Sequence, residues 1–269
     1  MTTDVARSYL FVPGSRPERF ERALGSGAHA VIVDLEDAVP PDQKVAARES
    51  LARWLAPSHP VMVRINPPGT EWHDGDLALC RLPGVAGIVV PKIETVDPVL
   101  EALCREGSRA LLPLIETGAG FDNARAIAAS PVVPRLLFGS IDFQVDLGID
   151  GDGEELLHFR SQLVLVSRLA GLQPPADGVC TEIDDPEMLE ADTERARRLG
   201  FGAKLCIHPR QVPLVNACFT PGPEEVLWAR RVLAAATQSR GAAVALDGRM
   251  VDRPVILKAE RIVREAERG

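Results

Sequence analysis

Short apolar runs alternate with amphipathic stretches along most of the chain. The runs are Ser8–Val12, Ala30–Leu35, Val61–Ile65, Gly87–Val90, Ala110–Ile115, Arg135–Phe138, Ala176–Val179 and Lys204–Ile207. Each is rich in Val, Ile and Leu and lacks clean two-residue alternation, the pattern of strands buried on both faces. Helical patterns lie between them. Pro17–Leu24 opens with a proline suited to a first turn. Asp42–Leu55 carries Val45, Ala46, Leu51 and Leu55 at helical spacing. Pro186–Leu199 follows the capping pair Asp184-Asp185 and stops at Gly200. Strand, helix, strand, repeated, predicts parallel strands with right-handed crossovers. Eight such units before about residue 210 predict an α/β fold, a closed (β/α)8 TIM barrel. The runner-up is an open doubly wound sheet, which generally has fewer strands and a Gly-rich first turn; no G-x-G-x-x-G or G-x-x-x-x-G-K-[ST] follows a strand here.

The tail from about Gly222 does not follow this repeat. Glu224–Gln238 reads as a helix, Gly241–Leu246 as a small-residue apolar patch, Asp247-Gly248 as a turn, and Val255–Glu267 as a last, highly charged helix. The expected organisation is a catalytic barrel over residues 1–220 with appended C-terminal helices over 221–269. That segment either covers the barrel mouth or reaches a neighbouring subunit, or it is an outer packing helix.

Composition narrows the classes of function. With 46% apolar and 25% charged residues in 269, the chain is an ordinary globular one, long enough to bury a core without metal or disulfide staples. A net charge of −8 and 4% aromatics give neither the cationic field nor the stacking surface of a nucleic-acid binder. An anionic membrane surface is an equally poor partner. A local basic pocket would still admit a small anionic substrate. The five cysteines, Cys80, Cys104, Cys180, Cys206 and Cys218, form no C-x-x-C pair and read as reduced thiols of a cytoplasmic protein. The N-terminus has no signal-peptide pattern, and no apolar run approaches the roughly 20 residues of a membrane span.

In this barrel class chemistry sits at the C-terminal ends of the strands. Most of the predicted strands end in reactive side chains: Asp34 with Glu36-Asp37, Arg64 with Asn66, Lys92, Glu116, Ser140 with Asp142, and His208. Carboxylates crowded at one mouth need a cation or raised pKa values. Mg2+ takes one or two carboxylates plus waters and substrate, and Glu116 and Asp142, after successive strands, are the first choice as ligands. Glu36 and Asp37 would hold metal-bound waters. Zn2+ fits less well, since His208 alone comes without a thiol cluster. Arg64 reads as an anion clamp, its planar fork matched to a carboxylate or a developing enolate oxygen, or as a salt bridge to a carboxylate such as Glu36. Lys92 reads as an electrostatic partner of the carboxylates rather than a Schiff base. His208 reads either as a base or as a helix cap, and Cys180 and Cys206 as core fillers. A serine-hydrolase reading lacks a G-x-S-x-G elbow, and a retaining glycosidase lacks its aromatic platform.

The run Ser8-Tyr-Leu-Phe-Val-Pro-Gly-Ser-Arg-Pro-Glu-Arg-Phe20 resembles the opening of the citrate lyase beta-subunit-like proteins, within the metal-dependent aldolases and acyl-CoA lyases. Further matches follow in order: Val33-Asp-Leu-Glu-Asp-Ala-Val39, Lys44-x-x-Ala-Arg48, Val63-Arg-Ile-Asn66, Val90-Pro-Lys92, Leu114-Ile-Glu-Thr117, Phe138-Gly-Ser-x-Asp142, Ile207-His-Pro209 and Gly248-x-Met-Val-Asp252. The resemblance implies a trimeric or hexameric (β/α)8 barrel that makes or breaks a carbon–carbon bond β to a thioester. It implies Mg2+ on Glu116 and Asp142, Arg64 on the oxo-acid oxygens, and Glu36-Asp37 supporting the metal waters. Lys44 and Arg48 would contact the phosphates and adenine of coenzyme A. Asp252 would be inserted into a neighbouring subunit's site and would act there as an acid.

The reaction so implied is cleavage of a β-hydroxyacyl-CoA thioester of the malyl-CoA or citramalyl-CoA type to an acyl-CoA and a 2-oxo acid. Lys92 and His208 complete the expected substrate-binding set. The alternatives are a citryl-thioester lyase subunit acting on an acyl-carrier protein, a non-catalytic ligand-sensing barrel, and an aldolase acting on free pyruvate-derived acids.

Overall fold

The computed structural model describes residues 6–238 and 243–267. Eight parallel strands close into a barrel: β1 (Ser8–Pro13), β2 (Ala30–Asp34), β3 (Val61–Arg64), β4 (Val85–Val90), β5 (Ala110–Ile115), β6 (Leu137–Phe138), β7 (Ala176–Asp177) and β8 (Ala203–Cys206). They lie in sequence order, and β8 closes on β1 with Ser8 opposite Lys204 and Tyr9 opposite Leu205. This is the predicted α/β barrel.

Two layers of burial explain why the strands lack polar alternation. One set of side chains fills the barrel interior, including Tyr9, Ile32, Val89, Leu112, Leu114 and Leu205. The alternate set, including Val31, Val33, Ile88, Leu111 and Ile115, is also buried, as strands covered by outer helices require. The helix Pro186–Leu199 starts where the sequence predicts, with the Asp185 carboxylate accepting the Met188 N–H.

β6 and β7 are shorter than the runs Arg135–Phe138 and Ala176–Val179 suggest. Pro134 precedes the first, Pro174 and Pro175 the second, and proline offers no ladder donor. Arg135 is fully buried and points to Ala6 O (2.5 Å) and the Tyr9 hydroxyl (3.1 Å). The outer faces of β7 and β8 carry charge. Arg160 donates to Asp177 at 2.9 Å, and Lys204 lies 2.5 Å from Asp192 and 3.7 Å from Asp177. Burial opposes ionisation of Asp177, but Lys204 and Arg160 outweigh it and hold the carboxyl below its ordinary range.

The chain divides into two compact units, the barrel unit running to Asn216 and the second beginning at Ala217. In the second, the helices Pro223–Gln238 and Arg253–Glu267 share a core of Ala229, Val232, Val251, Ile256, Ala259 and Ile262. Between them, β9 (Val244–Leu246) and β10 (Arg249–Val251) form an antiparallel hairpin. Its turn residues Asp247 and Gly248 both have positive φ, 52° and 73°, as a two-residue hairpin turn demands. Of the predicted patch Gly241–Leu246, residues 241 and 242 lie outside the described residues. The cysteines are free, Cys180 and Cys206 buried as expected. Among the described residues no helix is long and apolar enough to cross a membrane.

Candidate functional site

A cavity of about 370 Å³ opens at the C-terminal end of the barrel, with Asp34, Asp37, Arg64, Glu116 and Asp142 in its wall and Phe11, Leu114 and Leu205 as its apolar lining. A larger groove of about 590 Å³ lies beside the helices Ala124–Ala128 and Leu157–Leu169, but Arg125 is the single charged residue in its lining. Convergent polar groups mark the first as the candidate active site.

Strand register builds the cavity wall. Asp34 and Arg64 are direct partners at the ends of β2 and β3. Asp34, 1% exposed, accepts Arg64 Nε at 2.7 Å and Nη2 at 2.6 Å, and also the N–H groups of Glu36 and Ala38. Arg64 Nη1 lies 3.1 Å from Glu36 and 4.0 Å from Asp37, and the guanidinium sits 4.9 Å from the Phe11 ring centre. Burial works against the Arg64 charge, but Asp34 and then Glu36 outweigh it and raise the guanidinium pKa above its ordinary value. Of the two readings of Arg64, the salt bridge is the observed one, chiefly to Asp34, and the guanidinium also lines the cavity.

Lys92 sits among four carboxylates. Its Nζ lies 2.9 Å from Glu36, 3.9 Å from Asp37 and 4.0 Å from Asp142, and its backbone N–H donates to Glu116 Oε1 at 2.7 Å. Its φ of 49° is a left-handed turn, uncommon for a lysine, which brings main chain and side chain to one cluster. Burial lowers the affinity of the Lys92 amine for its proton, but the Glu36 hydrogen bond and charge outweigh it and raise the pKa. Lys92 is thus the electrostatic partner expected of it.

Glu116 is 2% exposed, and burial first, then the charges of Asp142 and Glu36, push its carboxyl up to about 8. Gly139 leaves no room for any other residue: a Cβ there would lie 2.6 Å from the Glu116 Cβ. The Glu36 carboxyl is raised by burial, against the pull of Arg64 and Lys92.

The donor chemistry fits a hard divalent cation. Glu116 and Asp142 offer oxygen ligands close enough for one charge to raise the other's pKa, and crowded carboxylates gain most from such an ion. Among the described residues no group of three or more His, Cys, Asp or Glu is placed to hold a metal ion by itself.

His208, Lys44 and Arg48 do not line the cavity. His208 caps a short helical turn, its Nδ1 accepting the Arg210 N–H at 3.2 Å, and burial and Arg210 lower its pKa. Of its two sequence readings, the cap is the observed one. Lys44 is 7% exposed, with its amine on the carbonyls of Leu35 and Glu36, both at 3.0 Å. Arg48 donates to Asp76 and to Trp72 O. Asp252 belongs to the second unit and accepts the Val255 N–H at the start of the helix Arg253–Glu267. Asp34 is legible in the sequence as one of several strand-end side chains, with no partner assigned, and Gly139 has no role there. Asp34's position level with Arg64 at adjoining strand ends was the available signal.

Residues 7–209 match the family described as HpcH/HpaI aldolase/citrate lyase. The chain is 39% identical to a citrate lyase subunit beta-like protein of Deinococcus radiodurans, across 96% of each chain. It is 34% identical to a (3S)-malyl-CoA thioesterase of Cereibacter sphaeroides, across 97% of this chain and 94% of that one. The crystal structure of CitE from Mycobacterium tuberculosis in complex with magnesium, acetoacetate and coenzyme A superposes with a TM-score of 0.85 at 35% identity, covering 98% of this chain and 99% of that one.

Proposed function

The chain belongs to the HpcH/HpaI aldolase/citrate lyase family, a family of lyases, and from that premise we propose a magnesium-dependent carbon–carbon lyase acting on a β-hydroxyacyl-CoA thioester of the malyl-CoA or citramalyl-CoA type. The observation that carries this reading is the meeting, in one cavity, of two acidic residues suited to a hard cation with an arginine fork. The ligands bound to the M. tuberculosis relative support it.

Glu116 and Asp142 hold the ion, and Glu36 and Asp37 orient its waters. Magnesium bound there supplies a Lewis acid for the carboxylate and neighbouring oxygen of the substrate. Arg64 binds the oxo-acid end and stabilises charge on the oxygen as the hydroxyl passes its proton to a cavity water and becomes a ketone. The Cα–Cβ bond pair passes to the thioester fragment, which leaves as an enolate and takes a proton at carbon. Asp252, from the C-terminal segment of a neighbouring subunit in a homotrimer or homohexamer, delivers that proton through water. Apolar exposure on the helix Ser140–Leu147, with Val145 80% exposed, supports self-association.

A second reading, hydrolysis of the thioester, is favoured by the likeness to the malyl-CoA thioesterase. One experiment tests both. Malyl-, citramalyl-, citryl- and hydroxymethylglutaryl-CoA are incubated with Mg2+ or with chelator, and products are read by mass spectrometry. A 2-oxo acid with an acyl-CoA, formed only with the metal, is the expected result. Free CoA with the intact hydroxy acid would indicate hydrolysis, and no turnover of any substrate would refute the lyase reading.

A further inference from the structure

Lys44 and Arg48 lie one turn apart on the helix Lys44–Trp54, and the resemblance assigns both to coenzyme A. Their bonds lead elsewhere. Lys44 Nζ donates to Leu35 O and Glu36 O, and the Trp72 ring covers it with its centre 5.1 Å away. Arg48 Nη1 donates to Asp76 Oδ1 at 3.1 Å, and the other Asp76 oxygen accepts the backbone N–H and side-chain amide of Asn66, at 3.0 and 2.7 Å. Asn66 Nδ2 in turn donates to Leu35 O at 2.9 Å. The two basic residues thus end on one carbonyl, Lys44 directly and Arg48 through Asp76 and Asn66.

That carbonyl belongs to the loop that presents Glu36 and Asp37. Asp34 holds the amides of the same loop, at Glu36 and Ala38. The loop is therefore fastened through its carbonyls on one side and its amides on the other, and Glu36 reaches Arg64 and Lys92 from it. Two of the three Lys44 N–H donors go to these carbonyls and the Trp72 ring covers the amine, so an anion that drew it outward would leave buried carbonyls without a donor, which is costly.

We propose that Lys44 and Arg48 are positioning residues, a brace that fixes the Glu36–Asp37 loop at the mouth and acts on turnover through that loop rather than by contact with the nucleotide of coenzyme A. The proposal rests on the thioester-lyase reading for its kinetic arm only. Lys44→Met and Arg48→Met are compared with wild type on the CoA thioester and on the pantetheine thioester of the same acid, which lacks the nucleotide. A brace predicts kcat lower by about 10- to 100-fold for Lys44→Met on both substrates, with KM for the CoA thioester changed less than about threefold, and a smaller loss of the same pattern for Arg48→Met.

A KM raised on the CoA thioester alone, with kcat kept, would overturn the proposal, as would unaltered kinetics in both variants. Should wild type turn over neither thioester, the lyase reading fails and amide hydrogen exchange still decides the brace. Exchange at Glu36 and Ala38 is expected to quicken at least about tenfold in the variants, and unchanged protection there overturns the proposal. If Lys44→Met does not fold, Arg48→Met, whose side chain is part-exposed, carries the same comparisons.

Discussion

Asp34 holds Arg64 by two parallel hydrogen bonds, Nε to Oδ1 at 2.7 Å and Nη2 to Oδ2 at 2.6 Å, from the neighbouring strand end. The carboxylate fixes the plane and direction of the guanidinium, which then meets Glu36 with Nη1. A lysine offers a point charge and no fork. Arg64→Lys is expected to lower kcat by about 100-fold or more, while near-wild-type kcat would make the arginine merely structural. Asp34→Ala leaves a buried guanidinium short of its main partner and should cost about 2–4 kcal/mol in denaturant melts.

Glu116 sets a pH dependence with a definite sign. Its carboxyl titrates near 8 in the folded chain, against an ordinary 4.5. Between those values the folded state binds a proton that the unfolded state has released, so the group's contribution to stability falls as pH rises. Glu116→Gln removes this effect. Without metal, the variant is expected to gain on wild type between pH 5 and 8, by on the order of 1–3 kcal/mol in urea melts. Magnesium should raise the Tm of wild type and leave that of the variant unchanged.

Gly139 is a steric condition on the same carboxylate. Gly139→Ala forces the Glu116 side chain aside, since the added methyl would meet its Cβ at 2.6 Å. Displacement of about 1 Å can cost about 100-fold in rate. The expected result is a folded protein with weakened magnesium binding by calorimetry and a kcat at least about tenfold lower.

Subunit mixing checks the role of Asp252. Asp252→Ala and Arg64→Ala proteins, each inactive alone, should regain part of the activity when mixed subunits reassemble, because some sites then carry one intact arginine and one intact aspartate. Well-mixed oligomers that stay inactive would remove Asp252 from the neighbour's site.

The apolar runs made the barrel legible because most strands are buried on both faces, and a run such as Ala110–Ile115 coincides with β5. Strand-end position likewise singles out Glu36, Arg64, Lys92, Glu116 and Asp142 in the sequence, since a parallel barrel gathers all such ends at one mouth. Hydrogen-bond direction was not legible. Nothing in Lys44-x-x-Ala-Arg48 tells that the amine turns inward to two carbonyls rather than outward to an anion. The buried charges of Asp177 and Lys204 were equally hidden, because their partners Arg160 and Asp192 lie on the helices preceding each strand, and no sequence pattern tells which charged side chains of those helices turn inward. The short β6 and β7 escaped because Arg135 and Val179 extend apolar runs without joining the ladder.

The most direct test is a crystal structure with Mn2+ in place of magnesium and a 2-oxo acid such as pyruvate, read by anomalous scattering. One metal peak is expected, with carboxylate oxygens of Glu116 and Asp142 about 2.2 Å away and the oxo acid between it and Arg64. A peak elsewhere, or these two carboxylates turned from the ion while the oxo acid is bound, would contradict that assignment.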